Sequence, residues 1–370
     1  MNKRLYLLNG LAILGVVINH AAGWGQIAMI QWAHRYLPVT SPDYSQVGSW
    51  AYYVLLIARQ WSLFSVAAFL FTAGCFVAYA DRGSQSKVGW KMVRTRIIGF
   101  LIPYLIWTVV IFIEQYLTDK VVYSPLKYLW LVFSTGADGP YYYVPLICYL
   151  YLLSPFLTRL ARKHPIWLLG VAGFVQLGVQ ALHYLLLIFP TNSVIQFMYK
   201  VTPDWSLPHW SLFFCVGLVL GYRMDWFKNW LTKSWRWFLA GVLVFGVLVV
   251  VGPEWIYRAT GTDMRFVPLP YSAMLYAFAM IFFILSREID KPWLQKPLSY
   301  LGGRTYGVYL IHFKAMEVAA RIIYHVAPAL LAFQVPLMIF LVAWGLAVPL
   351  LFMSLVARTP ARRYYRYLFG

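Results

Sequence analysis

Residues 5–24 read LYLLNGLAILGVVINHAAGW, twenty residues without a charged side chain. A helix of that length rises about 30 Å, the thickness of a bilayer's hydrocarbon core. The stretch therefore predicts a membrane-spanning helix. Lys3 and Arg4 in front of it give it the look of a signal peptide, but further spans follow and polar groups run along one face, which favours a retained first span. Those polar groups are Asn9 and His20. They are eleven residues apart, about three turns, so they share a face with Ile13, Val16 and Val17 between them. Charged side chains at a helix centre cost about 2.5–3.5 kcal/mol on insertion scales, and ionisable residues in spans usually face a bundle interior. The stripe needs a protein or water-filled surface to lie against. Two readings of His20 are open: a hydrogen bond between helices, or chemistry.

The rest of the chain has the same character. Its 370 residues are 61% hydrophobic and 12% charged, where a soluble domain carries roughly 25% charged residues. This predicts an all-α polytopic membrane protein, a bundle of about ten helices forming one domain over residues 1–370. Spans are expected near 5–24, 51–80, 97–117, 141–160, 166–189, 208–222, 235–252, 270–286, 305–325 and 333–357, the second long enough to tilt or project outward. The charges test this count. Of 31 Lys and Arg residues, 22 fall on the side of the N-terminus and 7 on the other, leaving Arg59 and Lys314 deeper within spans. Positive residues accumulate on the cytoplasmic side, so both termini are expected there. The net charge of +19 is thus spread over short loops that orient the chain, and does not form one face for nucleic acid. Outer loops are expected at 25–50, 118–140, 190–208 and 253–269, with a short interfacial helix at 123–134. The three cysteines, Cys75, Cys148 and Cys215, lie in apolar runs without ligand spacing, and no metal is expected.

The topology places polar residues by depth. His20 and Arg59 fall at a similar level toward the outer side, and Glu114 near the outer end of span three, so the three could form one buried site. Against this, Arg59 could snorkel to the outer headgroups and Glu114 could sit at the interface. Span nine carries His312, Lys314, Glu317 and Arg321. Glu317 and Arg321 are i,i+4 and Lys314 and Glu317 are i,i+3, so an ion-pair ladder explains them about as well as a supporting polar site does. The inner loop 81–96 is the most basic, with Lys91, Arg94 and Arg96 leading into span three. It could orient the protein, touch anionic lipid or dock a phosphorylated donor.

In order along the chain, several blocks resemble the membrane acyltransferase-3 family, integral membrane O-acyltransferases related to polysaccharide-modifying acetylases. LNGLAILGVVINH is similar to the family's opening segment, in which an arginine precedes a histidine by eleven residues. His20 falls on the histidine and Asn9 on the arginine, a departure. WKMVRTRIIGFLIPYLIW resembles the basic entrance to the third span followed by a proline-aromatic pair, here Pro103 and Tyr104. The family spaces its two arginines three apart; Arg94 and Arg96 are two apart, while Lys91 and Arg94 keep the interval. PYYYVPLICYLYLLSPFL, HWSLFFCVGLVLGYR and LSYLGGRTYGVYLIHF resemble later blocks, the last ending beside His312. FSVAAFLFTAGCFVA keeps the rhythm of span two without its usual proline and serine.

The resemblance covers nearly the whole chain. It implies a multi-pass protein of the inner (cytoplasmic) membrane that transfers an acyl group, usually acetyl, from cytosolic acyl-CoA to a hydroxyl. The acceptor it implies is a glycan or lipid-linked sugar exposed across the membrane, reached within membrane lipid. His20 would serve as base or acyl carrier, since neutral imidazole does either near pH 7. Arg59 and Glu114 are its candidate catalytic partners. Lys91, Arg94 and Arg96, with Asn9 at the family's arginine position, are the candidate donor-binding residues. A transporter or lipid-sugar translocase would use the same buried groups for coupling, and a non-catalytic scaffold is the third reading.

Overall fold

The computed structural model describes residues 2–83, 89–261, 270–287 and 291–370. Lys87 and Arg265, which entered the charge distribution, lie outside them, as does 262–269 of the expected last outer loop. Among the described residues the fold is helical throughout, with no strand. The helices are α1 (Asn2–Ile30), α2 (Trp50–Trp61), α3 (Phe64–Gly83), α4 (Trp90–Asp119), α5 (Pro125–Phe133), α6 (Tyr143–Lys163), α7 (Pro165–Ile188) and α8 (Ser193–Val201). They continue as α9 (Leu207–Tyr222), α10 (Met224–Thr260), α11 (Tyr271–Ser286), α12 (Pro292–Gly302), α13 (Thr305–Val326), α14 (Gln334–Arg358) and the short α15 (Tyr365–Phe369).

Among the described residues, seven helical segments are long and apolar enough to cross a membrane: Lys3–Ile30, Trp50–Arg82, Trp90–Asp119, Gly139–Lys163, Pro165–Ile188, Met224–Thr260 and Gln334–Arg358. The other three expected spans are helices that differ in kind. α9 and α11 are apolar but have 16 residues each, a rise of about 24 Å. α13 is long enough, and its charged residues set it apart. Two loop boundaries also move: α1 runs on to Ile30, and α10 continues through Pro253 to Thr260 where a loop was expected.

α1 occupies the middle of the bundle, packing on α2, α3, α11, α12, α13 and α14. Its stripe does lie against protein, for Ile13 and Val17 are fully buried. Gly302 packs against the Tyr6 backbone while Gly370 packs on Tyr306, so the start of α1, the start of α13 and the C-terminus meet at one end of the bundle. We call this the terminal end. α3 and α9 approach each other closely: a side chain at Gly74 would collide with the Phe214 backbone and one at Gly217 with the Phe71 backbone. Small residues at such crossings let backbones approach, the usual device where lipid provides no hydrophobic drive between helices. Asp81 at the end of α3 accepts from both Arg162 of α6 and Tyr222 of α9, which ties these helices together at the terminal end.

The second expected span is not continuous. It breaks at Ser62 and Leu63, between α2 and α3. The carbonyls released there need partners in a place without water. Asn19 of α1 donates through Nδ2 to the Arg59 carbonyl at 3.0 Å and to Ser62 Oγ at 2.9 Å. The Ser62 hydroxyl donates to the same Arg59 carbonyl at 2.6 Å, and the Tyr276 hydroxyl of α11 to the Trp61 carbonyl at 3.1 Å. Trp61 Nε1 in turn donates to the Gly246 carbonyl of α10 at 2.9 Å. Three neighbouring helices therefore stitch the break, which lies beside His20.

Candidate active site

His20 sits where two cavities meet. One, of about 180 Å³, is lined by Val16, Asn19, His20, Arg59, Ser62 and Tyr143, among others. The second, of about 360 Å³, lies toward the end opposite the termini and reaches Tyr44 in the loop after α1. Asn19, His20 and Arg59 line both. Arg59 does not snorkel freely: its Nη1 donates to Gln26 Oε1 of α1 at 2.8 Å. The broken helix presents this guanidinium to the cavity wall.

A third cavity, also about 180 Å³, lies toward the terminal end and is lined by Asn9, Thr72, Arg96, Tyr151 and Thr305, among others. Phe69, Tyr143 and Tyr309 line both it and the His20 cavity. The three spaces thus follow one another along α1, separated by shared side chains. Asn9 and His20 mark the line, about 16 Å apart at 1.5 Å per residue.

His312 is fully buried beside His20, their ring centroids 5.4 Å apart, and Phe313 covers His20 edge-on at 5.1 Å. The His312 Nδ1 lies 2.7 Å from the Tyr309 carbonyl and 3.1 Å from that of Val308. Carbonyls only accept, so Nδ1 carries the hydrogen and, in the neutral ring, Nε2 keeps the lone pair. That Nε2 is buried without a hydrogen-bond partner. An imidazole and a guanidinium on one cavity wall, His20 and Arg59, with the buried His312 ring packed against His20, can move a proton and stabilise a developing negative charge.

The model of the acyltransferase-3 family, described as an acyltransferase domain, matches residues 2–356. The chain belongs to this family. No curated protein and no solved structure matches it. Membership gives the acyltransferase its reaction class, acyl transfer, and with its several long apolar helices makes it a multi-pass membrane protein.

Within the acyltransferase, the residues expected to act together separate into three places. His20 and Arg59 meet at the central cavity, and His312 is buried against His20. Glu114 does not join them: its Oε2 accepts from Lys314 Nζ at 3.0 Å. Lys314 also holds Glu317 at 2.6 Å and approaches Asp138 at 3.6 Å, while Glu317 accepts from Arg321 at 2.8 Å. The ladder on α13 forms, and Glu114 and Asp138 extend it to the segments packed alongside. Burial pushes the Asp138 carboxyl up to about 6, against the pull of Lys314 and with the repulsion of Glu317.

At the terminal end only part of the basic entrance reaches a cavity. Arg96 lines the Asn9 space, whereas Lys91 and Arg94 are exposed on other faces of α4. At 100° per residue, Arg94 and Arg96 diverge by about 160° around the helix. Asn9 Oδ1 is buried at this cavity with no hydrogen-bond partner. Sequence reasoning missed Asn19, Gln26 and Ser62. Asn19 carried a usable signal, a second polar group directly before His20 in an apolar run. Gln26 and Ser62 acquire meaning only through Arg59 and the helix break.

Proposed function

We propose that this acyltransferase moves an acyl group, acetyl in the simplest case, from acyl-CoA to a hydroxyl of a glycan or lipid-linked sugar. In this reading the chain crosses the inner membrane ten times with both termini in the cytoplasm, and α9, α11 and α13 complete the count. The terminal end then faces the acyl-CoA pool. The single observation that carries the proposal is the succession of cavities from Arg96 and Asn9 to His20 and on to Tyr44.

Arg96 attracts the donor's phosphates, with Lys91 and Arg94 raising its local concentration. The thin pantetheine arm threads toward His20 past Phe69, Tyr143 and Tyr309. The acceptor enters from the opposite side, where His20 takes its hydroxyl proton. The oxygen attacks the thioester carbonyl carbon, forming a C–O bond. Arg59 stabilises the tetrahedral oxyanion, the C–S bond breaks, and the proton passes from His20 to the departing thiolate. The lone pair of His312 Nε2, which makes no direct bond to His20, orients the His20 ring through one water.

The test is transfer of radiolabel from acetyl-CoA to an envelope glycan fraction by the purified protein. Wild type is expected to transfer and His20→Ala to lose transfer; undiminished transfer by His20→Ala removes His20 from the chemistry. The same succession of cavities also suits a translocase, and sugar flux in proteoliposomes without any acyl donor would establish that reading instead.

A further inference from the structure

Away from the His20 cavity, three side chains converge at the end opposite the termini: His183 near the end of α7, Asp204 in the loop before α9, and His209 in the first turn of α9. Asp204 Oδ1 lies 3.0 Å from His183 Nε2 and 3.6 Å from His209 Nε2, and the three donor atoms all lie within 4.8 Å of one another. Both histidines are more than nine-tenths buried, at 7% and 2% exposure. Each of the three atoms is buried without a hydrogen-bond partner, so even the 3.0 Å approach lacks hydrogen-bond geometry. Leaving one such group unsatisfied costs about 1–3 kcal/mol, and here three point at one spot.

We propose that this cluster is a zinc site. Ligands at about 2.0–2.1 Å from a tetrahedral ion lie about 3.4 Å from one another, which the observed separations bracket. Two neutral imidazoles and one carboxylate are a donor set suited to Zn2+, leaving the net charge of the centre at +1. Asp204 is part-exposed, 29% at its side chain, although the Oδ1 that faces the two imidazoles is itself buried. His209 is oriented as a ligand should be: its Nδ1 lies 3.4 Å from Ser206 Oγ, which accepts the hydrogen when Nε2 holds the metal. The Tyr199 ring stands edge-on over His183 at 5.1 Å and shields that side.

The ion joins α7, the α8–α9 loop and α9, and the loop is tied to the His20 cavity. Trp210 Nε1 donates to the Asp204 carbonyl at 2.7 Å, and Trp210 and Tyr142 both line that cavity. Zinc therefore acts here as a clamp on the cavity wall. The ligands span 27 residues of chain, 183–209, with no short motif, and so the spacing rules applied to the cysteines do not find them.

The experiment uses the full-length protein in detergent with any polyhistidine tag removed. After exposure to Zn2+ and gel filtration, elemental analysis is expected to find one zinc per chain. Co2+ should give the visible bands of a four-coordinate site and be displaced by Zn2+, and a chelator should lower the melting temperature. His183→Asn and His209→Gln are each expected to weaken zinc binding at least tenfold. A wild-type protein that retains no zinc and gives no cobalt bands overturns the proposal and leaves an ion pair of His183 with Asp204. Unchanged stoichiometry and cobalt bands in folded His183→Asn or His209→Gln overturn it equally. If a variant does not fold, the wild-type titration decides alone.

Discussion

His312 turns its unpartnered Nε2 into the protein interior beside His20, while its Nδ1 is engaged by the carbonyls of Val308 and Tyr309. The two rings, 5.4 Å apart, are therefore unequal. The backbone fixes the tautomer of His312; His20 lines two cavities and is the one a substrate can meet. Removing a positioned general base costs 10²–10⁴-fold. His20→Ala is expected to lower kcat by about that factor. His312→Phe, which keeps the ring and loses the lone pair, should cost roughly tenfold with the donor KM unchanged, a smaller loss of the kind a positioning group produces. Steady-state kinetics on both variants separates the roles.

Asn19→Ala removes the side chain that caps the break between α2 and α3. The Arg59 carbonyl keeps the Ser62 hydroxyl but loses one donor, and a lost hydrogen bond of this kind costs about 0.5–1.5 kcal/mol. The expected result is a lower melting temperature together with reduced turnover, because Arg59 sits on the loosened turn. A variant that matches wild type in both would show that Asn19 does not hold the break.

Arg96, Lys91 and Arg94 should separate in donor binding. Arg96→Gln is expected to raise the acyl-CoA KM about tenfold, since charge-assisted bonds contribute about 1.5–3 kcal/mol. Lys91→Gln and Arg94→Gln should change it less than threefold at physiological salt, where exposed charges are screened. Equal effects at all three positions would indicate that the basic entrance acts as one diffuse patch.

Asp138 gives a pH dependence of stability with a definite sign. Its folded carboxyl titrates at about 6, above the ordinary 3.8, so the fold favours the protonated form. That contribution is fully present below 3.8 and is lost as pH rises through 6, a change of about 3 kcal/mol. Asp138→Asn, a neutral mimic, should melt with wild type at pH 4 and above it at pH 7.5. Parallel melting curves at both pH values would place the group's titration elsewhere.

The helices were largely legible in the sequence because apolar runs of bilayer length leave few alternatives: every expected span falls on a helix, and the short helix at 123–134 is α5. The break at Ser62 was not. No proline or glycine marks it, and its causes are Asn19, Tyr276 and Gly246, distant in sequence and joined only by packing. Of the site, the Asn9–His20 stripe could be read from helical period alone. The partner of Glu114 could not, since depth places residues at a level without saying which neighbour they face. Lys314 reaches Glu114 from 200 residues away. The proximity of His312 to His20 was invisible for the same reason.

Phe69, Tyr143 and Tyr309 stand between the Asn9 and His20 cavities. A bilayer stores an electrochemical gradient across a few nanometres, and a protein hollow from both ends would short-circuit it. Three aromatic rings shared by the two cavity walls act as an insulator, because it is costly for an ion to leave water and pass between them. A flexible, uncharged chain can slide between rings and refill the gap as it goes. Under the proposed function, catalysis across the membrane is then compatible with an energised cell, because the donor's arm passes the rings and bulk water does not.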